Sequence, residues 1–155
     1  MNEAFMEEAI QLSLRMMRRG RGGPFGAVIV KEGHIIGRGW NKVTTTLDPT
    51  AHAEVAAIRE ACRALQTFRL DGCELYASCE PCPMCLGAIY WARIRRLFFG
   101  AGRQDAAEAG FDDALIDREI RLPFAERQLP TRQVLRDRAL AALGEWQAKP
   151  DKIPY

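Results

Sequence analysis

The chain predicts an α/β fold, a three-layer α/β/α sandwich on one central mixed sheet. Three features of its 155 residues predict it: an opening stretch of helical period, a turn-linked pair of strand-like runs, and helices alternating with strands thereafter. Phe5, Ala9, Leu12 and Met16 recur at helical spacing, with Glu3, Glu7, Glu8, Arg15 and Arg18 elsewhere on the surface. That helix stops at Gly20, and Gly22-Gly23-Pro24 breaks the chain. Residues 26–30 and 34–40 read as two strands joined by a Glu32-Gly33 turn. Asp48-Pro49-Thr50 offers capping and proline chemistry for a helix running to Gln66. Asp71-Gly72 then turns the chain into a strand over 73–78. Pro81 is expected to open a short helix carrying Cys82, Cys85, Ile89 and Tyr90, and residues 94–100 form the next strand. Beyond Arg103 the pattern weakens to a loop through Gly110-Phe111 and a short helix after Asp113. A last strand is expected over 131–135 and a last helix over 138–147.

The length suits one domain over 1–155 with a sizeable core. Hydrophobic residues make up 48% and charged residues 27%, an ordinary globular balance. A net charge of +2 is far from the dense basic surface of a nucleic-acid binder, so no nucleic-acid partner is expected. Two basic clusters, Arg15/Arg18/Arg19/Arg21 and Arg93/Arg95/Arg96, read as solvated faces. The amino terminus is acidic and amphipathic, unlike a signal peptide, and no apolar run approaches the roughly 20 residues of a membrane span. No membrane association is expected. Five cysteines, an odd number, suggest a reducing cytoplasm and metal-binding or buried thiols and not a disulfide framework.

Two separated motifs carry the chemistry: His52-Ala53-Glu54, and downstream Pro81-Cys82-Pro83-Met84-Cys85. This His-x-Glu and Pro-Cys-x-x-Cys pairing is the known signature of zinc deaminases acting on nucleobases. Cys82 and Cys85 stand three apart, so on a helix both thiols share one face, near the positive end of the helix dipole. His52 and Glu54 are two apart and reach one site only if His52 lies at the entry of its helix. The site is therefore expected between two helix amino termini. One histidine and two cysteines leave a fourth tetrahedral position open, as in a catalytic Zn2+ site, and Glu54 is the carboxylate placed to move protons.

Other readings use the same residues. Cys-x-x-Cys also serves redox chemistry, although the added His-x-Glu argues against it. A structural zinc would want a fourth protein ligand, and Cys79 is the candidate. Glu80 is expected to cap the cysteine helix and Asp112 to cap a later one. Cys62 and Cys73 read as buried thiols, and His34, beside the hairpin turn, as exposed.

The chain resembles the cytidine and deoxycytidylate deaminase superfamily over nearly its whole length. Within it, the chain is similar to small bacterial zinc-dependent guanine deaminases. The stretches that carry the likeness are 22–30, 48–54, 78–93 and 106–113, the first three shared in part with tRNA adenosine deaminases. Tyr90-Trp91 and Gly110-Phe111-Asp112-Asp113 favour the guanine branch. The resemblance implies a cytidine deaminase-like fold and hydrolysis of a small purine, free guanine, to xanthine and ammonia. It further implies that His52, Cys82 and Cys85 bind zinc and that Glu54 shuttles protons. Asn41 would bond the purine edge, Phe25 and Trp91 would line or stack on the ring, and Asp113 would engage its donors. Plainer roles exist for some of these: packing for Phe25 and Trp91, a strand-ending turn for Asn41. The resemblance also implies a homodimer in which the tail 149–155 crosses to the partner and Tyr155 closes its site. Competing functions are a tRNA adenosine deaminase acting on a flipped base, a deaminase of another base, and a non-catalytic zinc module.

Overall fold

The computed structural model describes residues 2–155, which divide into two compact units, 2–114 and 115–155. In the first unit the order is α1 (Glu3–Arg18), β1 (Gly26–Lys31), β2 (His34–Trp40), α2 (Val43–Thr46), α3 (Ala53–Ala64), β3 (Glu74–Cys79), α4 (Pro83–Trp91), β4 (Arg96–Ala101) and α5 (Arg103–Glu108). The sheet runs β2-β1-β3-β4; β1 is antiparallel to both neighbours, and β3 and β4 are parallel. The mixed sheet between helical layers is the expected α/β/α sandwich.

Central strand β1 is covered on both faces, so its residues read as a continuous apolar run and not as an alternation. Val28 and Val30 join Tyr76 on one face, under Phe5 and Met6 of α1. Tyr76 stacks on Phe98 with centroids 4.7 Å apart, and Phe5 meets its edge at 5.5 Å. Ala27, Ile29, Leu75 and Ala77 point the other way, against Ala53, Ala57 and Ala61 of α3 and Ile89 of α4. The hairpin turns through Glu32 and Gly33, both at positive φ (49° and 77°), which matches the right-handed twist of the flanking strands.

Small residues bring α3 directly onto β2. A Cβ on Gly39 would stand 2.0 Å from the Ala53 carbonyl oxygen, and one on Gly37 would stand 2.6 Å from that of Ala57. The first turn of α3, with His52 and Glu54, is thereby fixed against the end of the sheet.

Several expected boundaries move. α3 starts at Ala53, because the Asp48 carboxylate accepts from the Thr50 N–H (2.8 Å) and hydroxyl (2.7 Å), making a turn before the helix. α4 starts at Pro83, the proline in its first turn, and Cys82 is its N-cap residue. Residues 103–108, read as loop, form α5: the Asp105 carboxylate reaches back to the Gly102 N–H (2.7 Å) and stabilises its first turn.

The second unit continues α6 (Ala114–Glu119), which begins at the boundary, and adds a 3-10 turn (Phe124–Glu126) and α7 (Arg136–Ala148). The strand expected over 131–135 does not form. The Thr131 hydroxyl donates to the Leu129 carbonyl (2.9 Å), and Leu135 adopts φ +51° as it enters α7. No helix among the described residues is long and apolar enough to cross a membrane.

Gly39→Ala forces backbone against backbone, so it is expected to destabilise the protein by about 1–3 kcal/mol or more. Urea unfolding measures this; wild-type stability in the variant would show that α3 does not lie flush on β2.

Candidate metal centre and active site

His52 and Cys82 occupy equivalent places on two different helices. His52 is the N-cap of α3 (φ −71°, ψ 160°) and Cys82 the N-cap of α4 (φ −64°, ψ 167°). An N-cap side chain ordinarily bonds the exposed N–H groups of its own helix. The His52 side chain makes no such bond, and the Cys82 sulfur, although the Cys85 N–H faces it, forms no regular cap. They turn toward each other, and His52 Nδ1 lies 3.5 Å from Cys82 Sγ and 3.4 Å from Cys85 Sγ. Cys85 comes one turn into α4 and is buried.

These three residues are the group among those described that can hold a metal, with donor atoms all within 4.8 Å of one another. Zn–N and Zn–S bonds of about 2.0 and 2.3 Å at a tetrahedral angle place nitrogen and sulfur about 3.5 Å apart. The two observed separations fit that edge, and the N/S donor set suits zinc. Cys79, the candidate fourth ligand, stands outside the group: it is buried at the end of β3 with Sγ 3.8 Å from the Gly102 carbonyl.

The thiols are electrostatically unequal. A hydrogen bond from the Cys85 thiol, assisted by His52, lowers Cys82 to about 4. Donating that bond, together with burial, pushes Cys85 far up. His52 is raised, chiefly by its contact with Cys82. Glu54, in the first turn of α3, is 7% exposed, and burial raises its carboxyl above the usual range. Its ionised form is disfavoured there, which suits a carboxyl group that both takes and returns a proton.

A family model described as the cytidine and deoxycytidylate deaminase zinc-binding region matches residues 1–101. The chain belongs to this deaminase family. It is a zinc-dependent deaminase, and zinc is its cofactor. It is 53% identical to a guanine deaminase of Bacillus subtilis over 99% of both chains. A crystal structure of a guanine deaminase from that organism superposes with a TM-score of 0.97, covering 100% of this chain and 99% of that one at 54% identity. A tRNA-specific adenosine deaminase of Aquifex aeolicus is 48% identical over 64% of this chain and 65% of its own.

The other expected site residues of the deaminase fall as follows. Asn41 is buried (8% exposed) just past β2, and its Oδ1 accepts from the N–H groups of Gly23 (3.4 Å) and Val43 (3.3 Å). Its own N–H donates to the Phe25 carbonyl (3.0 Å), and the Phe25 ring meets Phe111 edge-on at 4.8 Å. Asp113 pairs with Arg103 at 3.3 Å. Trp91 ends α4 and is exposed, so the core-packing alternative for it does not hold. Tyr155 ends the second unit. Asp112 makes a turn just before α6, accepting from the Ala114 N–H (2.8 Å).

Glu80 does not cap α4. Its carboxylate crosses to α5, accepting from the Arg103 N–H (3.0 Å), with the Arg103 guanidinium 3.9 Å away. Arg103 was not legible as a site residue, because what marks it is its partners across the fold and not a local motif.

Zinc uptake must remove the Cys85 proton, so affinity is expected to fall as pH is lowered. Cys85→Ser should weaken zinc binding by on the order of 100-fold or more, as read by competition with a chromogenic chelator. Unchanged affinity would remove Cys85 from the ligand set.

Proposed function

We propose that this deaminase hydrolyses free guanine to xanthine and ammonia, with His52, Cys82 and Cys85 holding zinc. The observation that carries the reading is the extent of the likeness. The match to a guanine deaminase runs over 99% of both chains, through the residues beyond 101 that the shared zinc-binding region leaves out. The matches to tRNA-specific adenosine deaminases are shorter, for example 99 residues for that of Aquifex aeolicus and 118 for that of Haemophilus influenzae.

Bound zinc lowers the pKa of a coordinated water towards about 7. Glu54 takes the proton released as the water oxygen attacks the amino-bearing carbon and passes it to a ring nitrogen; it then takes the second proton from the hydroxyl now on that carbon and gives it to the departing amino group, leaving a carbonyl and ammonia. Asn41 bonds the purine edge with an amide that can both donate and accept. Phe25 and Trp91 hold the ring plane, since aromatic faces stack on bases. Asp113 accepts from donors of the base.

The working molecule is a cytoplasmic homodimer in this reading. Its 1–155 chain acts as one deaminase domain whose tail, 149–155, crosses so that Tyr155 closes the partner's site. Light scattering is expected to give twice the monomer mass, and Tyr155 deletion to raise KM for guanine. A monomer with full activity would sink the exchange.

Zinc-loaded protein should convert guanine to xanthine, followed by ultraviolet absorbance, and leave a tRNA anticodon stem unmodified. Editing of the stem with strong salt dependence would favour the adenosine reading instead. Glu54→Ala should lower turnover at least roughly 100-fold with zinc retained. If zinc left with that substitution, Glu54 would have to be reassigned as structural.

A further inference from the structure

The Asp113 carboxylate is 15% exposed and stands in a segment with no regular structure between α5 and α6. A carboxylate withdrawn from water needs a cation or donors to remain charged. Arg103 supplies one, with Nε 3.3 Å from Oδ1.

Arg103 is itself held at its other end. Its backbone N–H donates to Glu80 Oε2 (3.0 Å), its Nη2 stands 3.9 Å from Oε1, and the Glu80 N–H donates to the Ala101 carbonyl (2.8 Å). Glu80 lies two residues before Cys82. The Arg103 guanidinium therefore stands within ion-pair distance of two carboxylates, Glu80 just before Cys82 and Asp113 on the segment that docks through Phe111 on Phe25.

We propose that Arg103 is a positioning residue for the reaction: it sets the Asp113 carboxylate in register with the cysteine loop, so that the base's donor edge is read while its reacting carbon stands at the metal centre. This rests on the guanine reading above and adds the residue that makes Asp113 a fixed acceptor. Arg103 need not touch the base; it acts through Asp113.

A double-mutant cycle tests it, with kcat and KM for guanine measured in wild type, Arg103→Gln, Asp113→Ala and the double variant. Arg103→Gln is expected to lower kcat/KM on the order of 10- to 100-fold, with a raised KM and zinc content unchanged. Adding it to Asp113→Ala should change kcat/KM by less than about threefold, because the partner through which it acts is gone. Arg103→Lys should recover part of the loss, and it replaces the glutamine variant in the cycle if that variant does not fold. Glu80→Gln should cost less than Arg103→Gln. Additive losses, a wild-type Arg103→Gln enzyme, or loss of zinc with Arg103→Gln would each overturn the proposal. A zinc-loaded wild type inert towards guanine would overturn it together with the guanine reading, whereas an active wild type with additive variants would overturn this proposal alone.

Discussion

Two helix amino termini meet at one point, and both give their N-cap positions to metal donors. His52 forgoes the capping bond its position ordinarily provides, and Cys82 forms no regular cap. Forgoing a side-chain cap costs typically about 1 kcal/mol per helix. In return, the amino ends of α3 and α4 and their dipoles face the site and favour the thiolate form of Cys82. The rest of the fold serves that meeting. Gly37 and Gly39 let α3 lie flush on β2, while β3, hydrogen-bonded to β1, delivers Cys79-Glu80-Pro81 to the start of α4.

Burial then divides labour among the acids. Glu54, beside His52 in the same first turn, has little water around it, so its carboxyl holds a proton more readily than a surface one. Glu80 and Asp113 are instead compensated by Arg103. One carboxyl group is thus suited to proton traffic while two are held in ion pairs, by environment and not by residue type.

Local chemistry was readable wherever it is self-contained. The Glu32-Gly33 hairpin needs only its own turn, and the spacing of His52, Glu54, Cys82 and Cys85 encodes which atoms converge. Features set by distant partners were hidden. Pro81 and Pro83 offer the same helix-starting chemistry, and the position of Cys82 at the meeting of the two helices selects the second. Glu80 looked like a cap because its true partner, Arg103, is 23 residues away. The strand expected over 131–135 rested on composition alone, and positive φ at Leu135 ends any extended run. Arg103 belongs to no motif, so only the three-dimensional arrangement reveals that it spans Glu80 and Asp113.

X-ray absorption at the zinc edge of the loaded protein tests the convergence of the two helix ends most directly. One imidazole nitrogen, two sulfurs and one light solvent-derived atom are the expected shell. A third sulfur, which Cys79 would supply, or a shell lacking imidazole would contradict the geometry of this site.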